Sequence, residues 1–207
     1  NEVSRAIGAD NRIGSKFLKS GPGFGGSCFK KDILNLIYLC NYYGLEEVGE
    51  YWAKVLKLNE WQQNRISKII IKKLFGNLYQ KKLSILGFAF KANTNDTRES
   101  PAIKICNDLL EEGAYLSIYD PKVEFKQVQN DLQSKSNKNS NFTMAKTVEE
   151  SAKNSDALIV LTEWEEFKNL NLPRISKIMR SPSWIFDTRG ILNLEELKSS
   201  GINFWRV

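Results

Sequence analysis

The apolar and polar positions fall into two regimes, a helical stretch followed by strands that alternate with helices. Asn1 to Ile7 reads as part of an amphipathic helix, Gly8 to Asn11 as a turn, and Ile13 to Leu18 as a second segment. A glycine-rich run follows, Gly21-Pro22-Gly23-Phe24-Gly25-Gly26-Ser27. From Phe29 the apolar residues 29, 33, 36, 37 and 40 keep helical spacing, and Gly44 supplies a left-handed stop. A long helix is predicted from about Glu46 to Phe75, with stripes that include Tyr51, Val55, Leu58, Ile66 and Ile70. About 30 residues at 1.5 Å per residue make roughly 45 Å, the length of a helix that bridges domains or packs on a partner. Gly49 is a weak point inside it.

From Lys82 the period changes. Leu83–Gly87, Tyr115–Tyr119, Asp156–Leu161, Trp184–Asp187 and Ile202–Val207 read as strands. Helices are predicted at 102–112 (opened by Ser100-Pro101), 147–152, 165–168, 173–180 and 194–199. Residues 126–143 are polar and read as a solvated loop with some helix. Alternation implies parallel pairing through right-handed crossovers. The fold class is therefore α/β: a helical domain with a long connecting helix over 1–80, then a Rossmann-like doubly wound parallel sheet over 81–207. Ligands of such sheets bind beyond the carboxyl ends of the strands.

Composition narrows the chemistry. Histidine is absent, which excludes Cys-His and Ser-His-Asp hydrolases and histidine-ligated metals; three cysteines cannot complete a four-thiolate zinc site. No metal is expected. The odd, sparse cysteines argue against a secreted disulfide framework, and no apolar run approaches the roughly 18 residues of a membrane span, so the cytoplasm is the expected compartment. A net charge of +6 suits an anionic ligand, but the cations are dispersed and form no nucleic-acid motif. The chain opens without Met in mid-helix, which suggests that an N-terminal portion is missing.

Three constellations remain. Cys28 follows four glycines in six residues at a helix start, where the helix dipole, Lys30 and Lys31 supply positive potential to a nucleophile. Asp32 lies one turn on and can hold or activate water. A bare cysteine would read as a small core residue; the loop and the carboxylate favour chemistry, whereas Cys40 and Cys106 read as core. The second constellation, Gly87 to Pro101, is not GxGxxG, but it sets Lys91 and Arg98 at the ligand edge of the sheet, with Phe88 and Phe90 as an amphipathic wall. In the third, Phe186 to Gly190, Arg189 can clamp an anion or pair with Asp187. Asp120 and the Thr162-Glu163-Trp164 turn share this edge, where capping and packing explain them equally well.

Phe17-Leu18-Lys19 leading into Gly25 to Asp32, then Gly87 to Pro101, then Phe186 to Gly190, together resemble the nucleotide-sugar dehydrogenase family over essentially the whole chain. The resemblance implies oxidation of the C6 alcohol of UDP-glucose to a carboxylate, with two hydride transfers to NAD. It makes Cys28 the nucleophile that captures the aldehyde and Asp32 the carboxylate assisting water. Phe17, Leu18, Lys19, Phe24, Gly25, Phe90, Lys91 and Arg189 match substrate positions, and Cys28, Lys31 and Arg98 face the cofactor. Arg12 matches an arginine that reaches a partner subunit's substrate, so a homodimer or higher homo-oligomer built on the central helix is implied, with no nucleic-acid or membrane partner. The family's NAD-binding domain is absent from the chain, and Thr188 stands where many members have glycine. A sibling acting on a UDP-N-acetyl sugar or GDP-mannose, and a non-catalytic nucleotide-binding or dimerising module, are the alternatives.

Overall fold

A computed structural model describes residues 2–133 and 141–207. The helical part comprises α1 (Glu2–Gly8), α2 (Phe29–Tyr42) and α3 (Glu46–Lys73). Between α1 and α2 the chain runs through turns and loop, so the segment expected at Ile13–Leu18 forms no regular element. Gly8 packs against Ser15 and Leu18 there, and Phe17 and Gly14 take positive φ values of 64° and 75°, which a helix cannot accommodate. Gly44, at φ 71°, turns the chain between α2 and α3. Gly49 is buried in α3, facing Cys40 and Asn41 of α2, so its small size serves helix contact.

The sheet contains β1 (Lys82–Leu86), β2 (Tyr115–Tyr119), β3 (Phe142–Met144), β4 (Ala157–Val160), β5 (Trp184–Asp187) and β6 (Asn203–Arg206). Their order is β3-β2-β1-β4-β5-β6, with every neighbouring pair parallel. This is the doubly wound arrangement, with its switch point between β1 and β4. The crossovers carry α4 (Pro101–Glu111), α5 (Phe125–Gln133), α6 (Val148–Ala152), α7 (Glu165–Lys168), α8 (Leu172–Ile178) and α9 (Leu194–Ser199). Ser100 caps α4 by accepting from the Ala102 N–H, and Pro101 occupies the first turn, where its missing donor costs nothing.

The polar stretch 126–143 holds the helix allowed for there, most of α5, which buries Val128 and Leu132, but also an unexpected edge strand, β3, whose Phe142 is buried and pairs with Leu116. Three residues are too few for alternation to show above a polar background. Residues 134–140 of the expected loop lie outside the described residues. Among the described residues no helix is long and apolar enough to cross a membrane.

One core joins sheet and helices. Leu83, Ile85, Leu158, Ile159 and Phe186 are fully buried in it, together with Ile66 and Ile70 of α3. The other half of α3 has a different fate: Tyr51, Leu58 and Trp61 are 65%, 63% and 56% exposed. Ile66→Ala should therefore lower the unfolding free energy by about 3 kcal/mol, and Leu58→Ala by less than about 0.5, as read from urea denaturation. Equal effects would contradict the division of α3.

Candidate active site

The glycine-rich loop is trapped between α3 and the loop joining β1 to α4. On the helix side, Asn59 accepts from the Phe24 N–H at 2.8 Å and donates to the Phe24 carbonyl at 3.1 Å, while Gln62 donates to the Gly21 carbonyl. On the sheet side, the Gly26 N–H donates to the Arg98 carbonyl at 2.9 Å. The glycines are needed because these approaches leave no room for a side chain. A Cβ on Gly25 would lie 2.3 Å from the Glu99 carbonyl oxygen, and Gly26, at φ 87°, abuts the Phe90 ring.

Loops at the carboxyl edge of the sheet are held by buried side chains. Asp120 accepts from the backbone N–H groups of Phe88, Ala89, Lys122 and Val123 and from the Trp164 indole. Asp120 is thus an organiser of the edge with its acceptors filled. Thr162 donates to the Ala89 carbonyl and Thr188 to the Val160 carbonyl, so Thr188 fastens β5 to β4. Arg189 donates through Nε to the Leu161 carbonyl at 2.7 Å and forms an ion pair with Glu163 at 3.1 Å. Burial pushes the Arg189 guanidinium down from its ordinary value and the Glu163 charge pulls it back up. Of the two roles left open for Arg189, its guanidinium does not take the pairing with Asp187: that carboxylate accepts the N–H groups of Arg189, Ile191 and Leu192 and faces Arg206.

These walls enclose a cleft of about 670 Å³. Of the residues expected to bind substrate, Phe17, Lys19, Phe24, Gly25, Phe90, Lys91 and Arg189 line it. Ser15, Lys16, Gly21, Gly23, Phe29 and Glu163 complete the lining. Phe24 and Phe17 meet Phe29 edge-on, with ring centroids at 4.6 and 6.2 Å, and Lys91 Nζ lies 5.2 Å from the Phe90 ring centre. Phe88, expected beside Phe90 as part of the wall, is instead fully buried in the core: the chain leaves β1 through Gly87 at φ 88° and bends at Ala89 and Phe90, so two rings that would share a face on a strand part company.

Other candidates lie around the cleft. Cys28 is exposed at the N-cap of α2, beside Phe29, with Ser27 Oγ 3.7 Å from its sulfur. Asp32 is exposed one turn on; its N–H bonds the Cys28 carbonyl, and its carboxylate is left without a hydrogen bond or ion pair among the described residues. Lys30 pairs with Glu99, and Lys31 is exposed. Arg98 holds Asp96 in a two-pronged ion pair that keeps this carboxyl below its ordinary value, and nearby Cys28 adds a smaller electrostatic influence on Arg98. Leu18 packs towards Gly8, and Arg12, 89% exposed, pairs with Asp10; neither lines the cleft. Cys40 and Cys106 are buried as expected.

A model of the UDP-glucose/GDP-mannose dehydrogenase family, UDP binding domain, matches residues 84–194, and one of that family's central domain matches residues 1–61. The chain belongs to this family. It is 49% identical to UDP-glucose 6-dehydrogenase of Drosophila melanogaster, over 98% of this chain and 44% of that protein. Against UDP-glucose 6-dehydrogenase 4 of Arabidopsis thaliana it is 47% identical, over 100% of this chain and 46% of that one. Among solved structures, a UDP-glucose dehydrogenase from the archaeon Pyrobaculum islandicum superposes with a TM-score of 0.77 at 27% identity, covering 99% of this chain and 42% of that one. The chain thus spans a little under half the length of the relatives it matches.

Asn59 and Gln62 were not anticipated, although a signal exists: the apolar stripe of α3 lapses between Leu58 and Ile66, where the amides lie. Asn59→Ala should speed hydrogen exchange at the Phe24 N–H by about tenfold or more while costing only about 1 kcal/mol of global stability. Exchange mass spectrometry that finds unchanged protection there would refute the clamp.

Proposed function

We propose that the chain is the central and UDP-sugar-binding portion of an NAD-dependent UDP-glucose 6-dehydrogenase, which converts UDP-glucose to UDP-glucuronate by covalent capture at Cys28. In this reading residues 1–80 carry the nucleophile loop and a dimerisation surface on α3, and residues 81–207 hold the nucleotide. The observation that carries it is the shared cleft: Phe24, Gly25 and Phe29 line one wall, next to Cys28, and Phe90, Lys91 and Arg189 line the other. A ligand anchored on the sheet edge is thereby brought alongside the nucleophile loop. The named relatives at 49% and 47% identity point to the same substrate.

Lys16, Lys19 and Lys91 surround the cleft with mobile positive charge suited to a diphosphate. The sulfur of Cys28 adds to the aldehyde carbon, and the carbonyl oxygen takes a proton, giving a thiohemiacetal that cannot diffuse away. Once a thioester stands on Cys28, Asp32 accepts a proton from an attacking water, the carboxylate product leaves and the thiol is restored. NAD, when bound, supplies the hydride acceptor for both oxidations. Its fit to this chain is limited to the exposed edge at Cys28, Lys31 and Arg98. The turn after β1 offers no dinucleotide cradle, since a Cβ on Gly87 would meet Thr162 at 2.4 Å and Asp120 already takes the Phe88 and Ala89 N–H groups. NAD is therefore assigned chiefly to another part of the protein. Arg12, strongly exposed, is assigned to reach a partner copy's substrate, for which it must exchange its pairing with the neighbouring Asp10.

Cys28→Ser, in a protein that joins this chain to its nicotinamide-binding portion, should lower NADH formation from UDP-glucose by ~10³-fold or more. Wild-type turnover in that variant would end the nucleophile assignment. Lys91→Ala should raise the KM for UDP-glucose by about 10–100-fold. Steady-state rates across UDP-glucose, a UDP-N-acetyl sugar and GDP-mannose identify the preferred sugar, with UDP-glucose expected to lead.

A further inference from the structure

Among the residues lining the cleft, Glu163 is the one carboxylate, set among Lys16, Lys19, Lys91 and Arg189. An acid in a cleft suited to phosphates repels its ligand unless the part of the ligand beside it is a neutral donor. Glu163 Oε2 is buried, 3.1 Å from Arg189 Nη1. Oε1 has no hydrogen bond among the described residues, and the side chain is 32% exposed. An ionised carboxylate only accepts, so the free oxygen calls for O–H or N–H groups. Its orientation is fixed by Arg189, itself 14% exposed and tied to the Leu161 and Phe90 carbonyls.

The topology supplies a second argument. In doubly wound sheets an acid about 20 residues beyond the first glycine turn reads ribose hydroxyls. The acid closing β2 here is Asp120, and five N–H donors already occupy its two oxygens. Glu163 lies three residues beyond the end of β4, on the β1–β4 switch point where ligands of this fold bind, and it retains acceptor capacity.

We propose that Glu163 is the specificity residue that reads vicinal hydroxyls on a sugar of the bound nucleotide, with Arg189 as its positioning partner. The assignment rests on the UDP-sugar reading of the cleft. Either the ribose or the hexose can supply the hydroxyls, and the ribose is favoured because Glu163 lies on the sheet edge, where the nucleotide half is held.

The test is calorimetric titration of the intact protein and of Glu163→Gln with UDP, 2′-deoxy-UDP and UDP-glucose. Wild type should bind UDP about tenfold or more tightly than 2′-deoxy-UDP, as expected for one lost hydrogen bond to a charged group. Glu163→Gln should weaken UDP more than 2′-deoxy-UDP, which keeps only the 3′-hydroxyl, so that the ratio falls to about twofold or less. If the hexose is the source, UDP and 2′-deoxy-UDP bind alike to wild type, and the variant loses affinity for UDP-glucose alone. Equal weakening of all three ligands, the mark of a support role for Arg189, overturns the proposal, as does no change in any. Wild type that binds none of the three overturns the UDP-sugar reading and this assignment with it. Should Glu163→Gln not fold, Glu163→Asp keeps the charge beside Arg189 but shortens the reach, and the same collapse of the ratio is expected.

Discussion

The close backbone approach at Gly25 is the contact on which the site depends. With a Cβ position 2.3 Å from the Glu99 carbonyl oxygen and 3.1 Å from Phe90 Cβ, only hydrogen fits there. The next residue, Gly26, adds its N–H to the Arg98 carbonyl, so the loop lands on the sheet domain at one place. Cys28 follows two residues later and α2 begins at Phe29, which means the position of the sulfur relative to the sheet is inherited from this contact. One wall of the cleft is the same loop. The placement of Cys28 and the shape of the cleft are therefore consequences of a single steric requirement.

Around that contact, the carboxyl edge of the sheet is stiffened by buried polar groups that are fully engaged. Asp120 and Asp187 each collect several backbone N–H groups that would otherwise be stranded in a low-dielectric interior, and the two threonines after β4 and β5 return their hydroxyls to backbone carbonyls. Satisfied groups of this kind hold a cleft in shape before a ligand arrives, which lowers the ordering cost of binding. The opposite wall is built differently. Phe17 is 88% exposed at a positive φ, and Lys16 and Lys19 are exposed beside it, so the mobile charges are carried by long side chains on a lightly packed segment.

Much of this was legible because the elements are strongly periodic. The long helix, five of the six strands and the cap at Ser100 followed from apolar spacing and from residues whose local chemistry has few alternatives. The errors have identifiable causes. Strand β3 is three residues long, and its pairing with Leu116 depends on a neighbour distant in sequence. Phe88 and Phe90 look equivalent in a string, but the bend after Gly87 sends one into the core and the other to the cleft. For Arg189 the sequence left pairing with Asp187 and clamping an anion equally open, and the guanidinium pairs with Glu163 on another strand end.

The sequence by itself determined that a helical unit precedes a parallel sheet, that Cys28 closes a glycine loop at a helix start, and that cations follow the strands. Those are local properties: period, φ freedom and charge order are written residue by residue. Only the tertiary structure decided which groups are used up and which remain available. Asp120 and Glu163 are the same kind of acid at the same edge; Lys122 and Val123 are local donors to Asp120, but its other three donors and the Arg189 partner of Glu163 lie 26 to 44 residues away. Burial and pairing are properties of the packed neighbourhood, so no reading of adjacent residues can assign them.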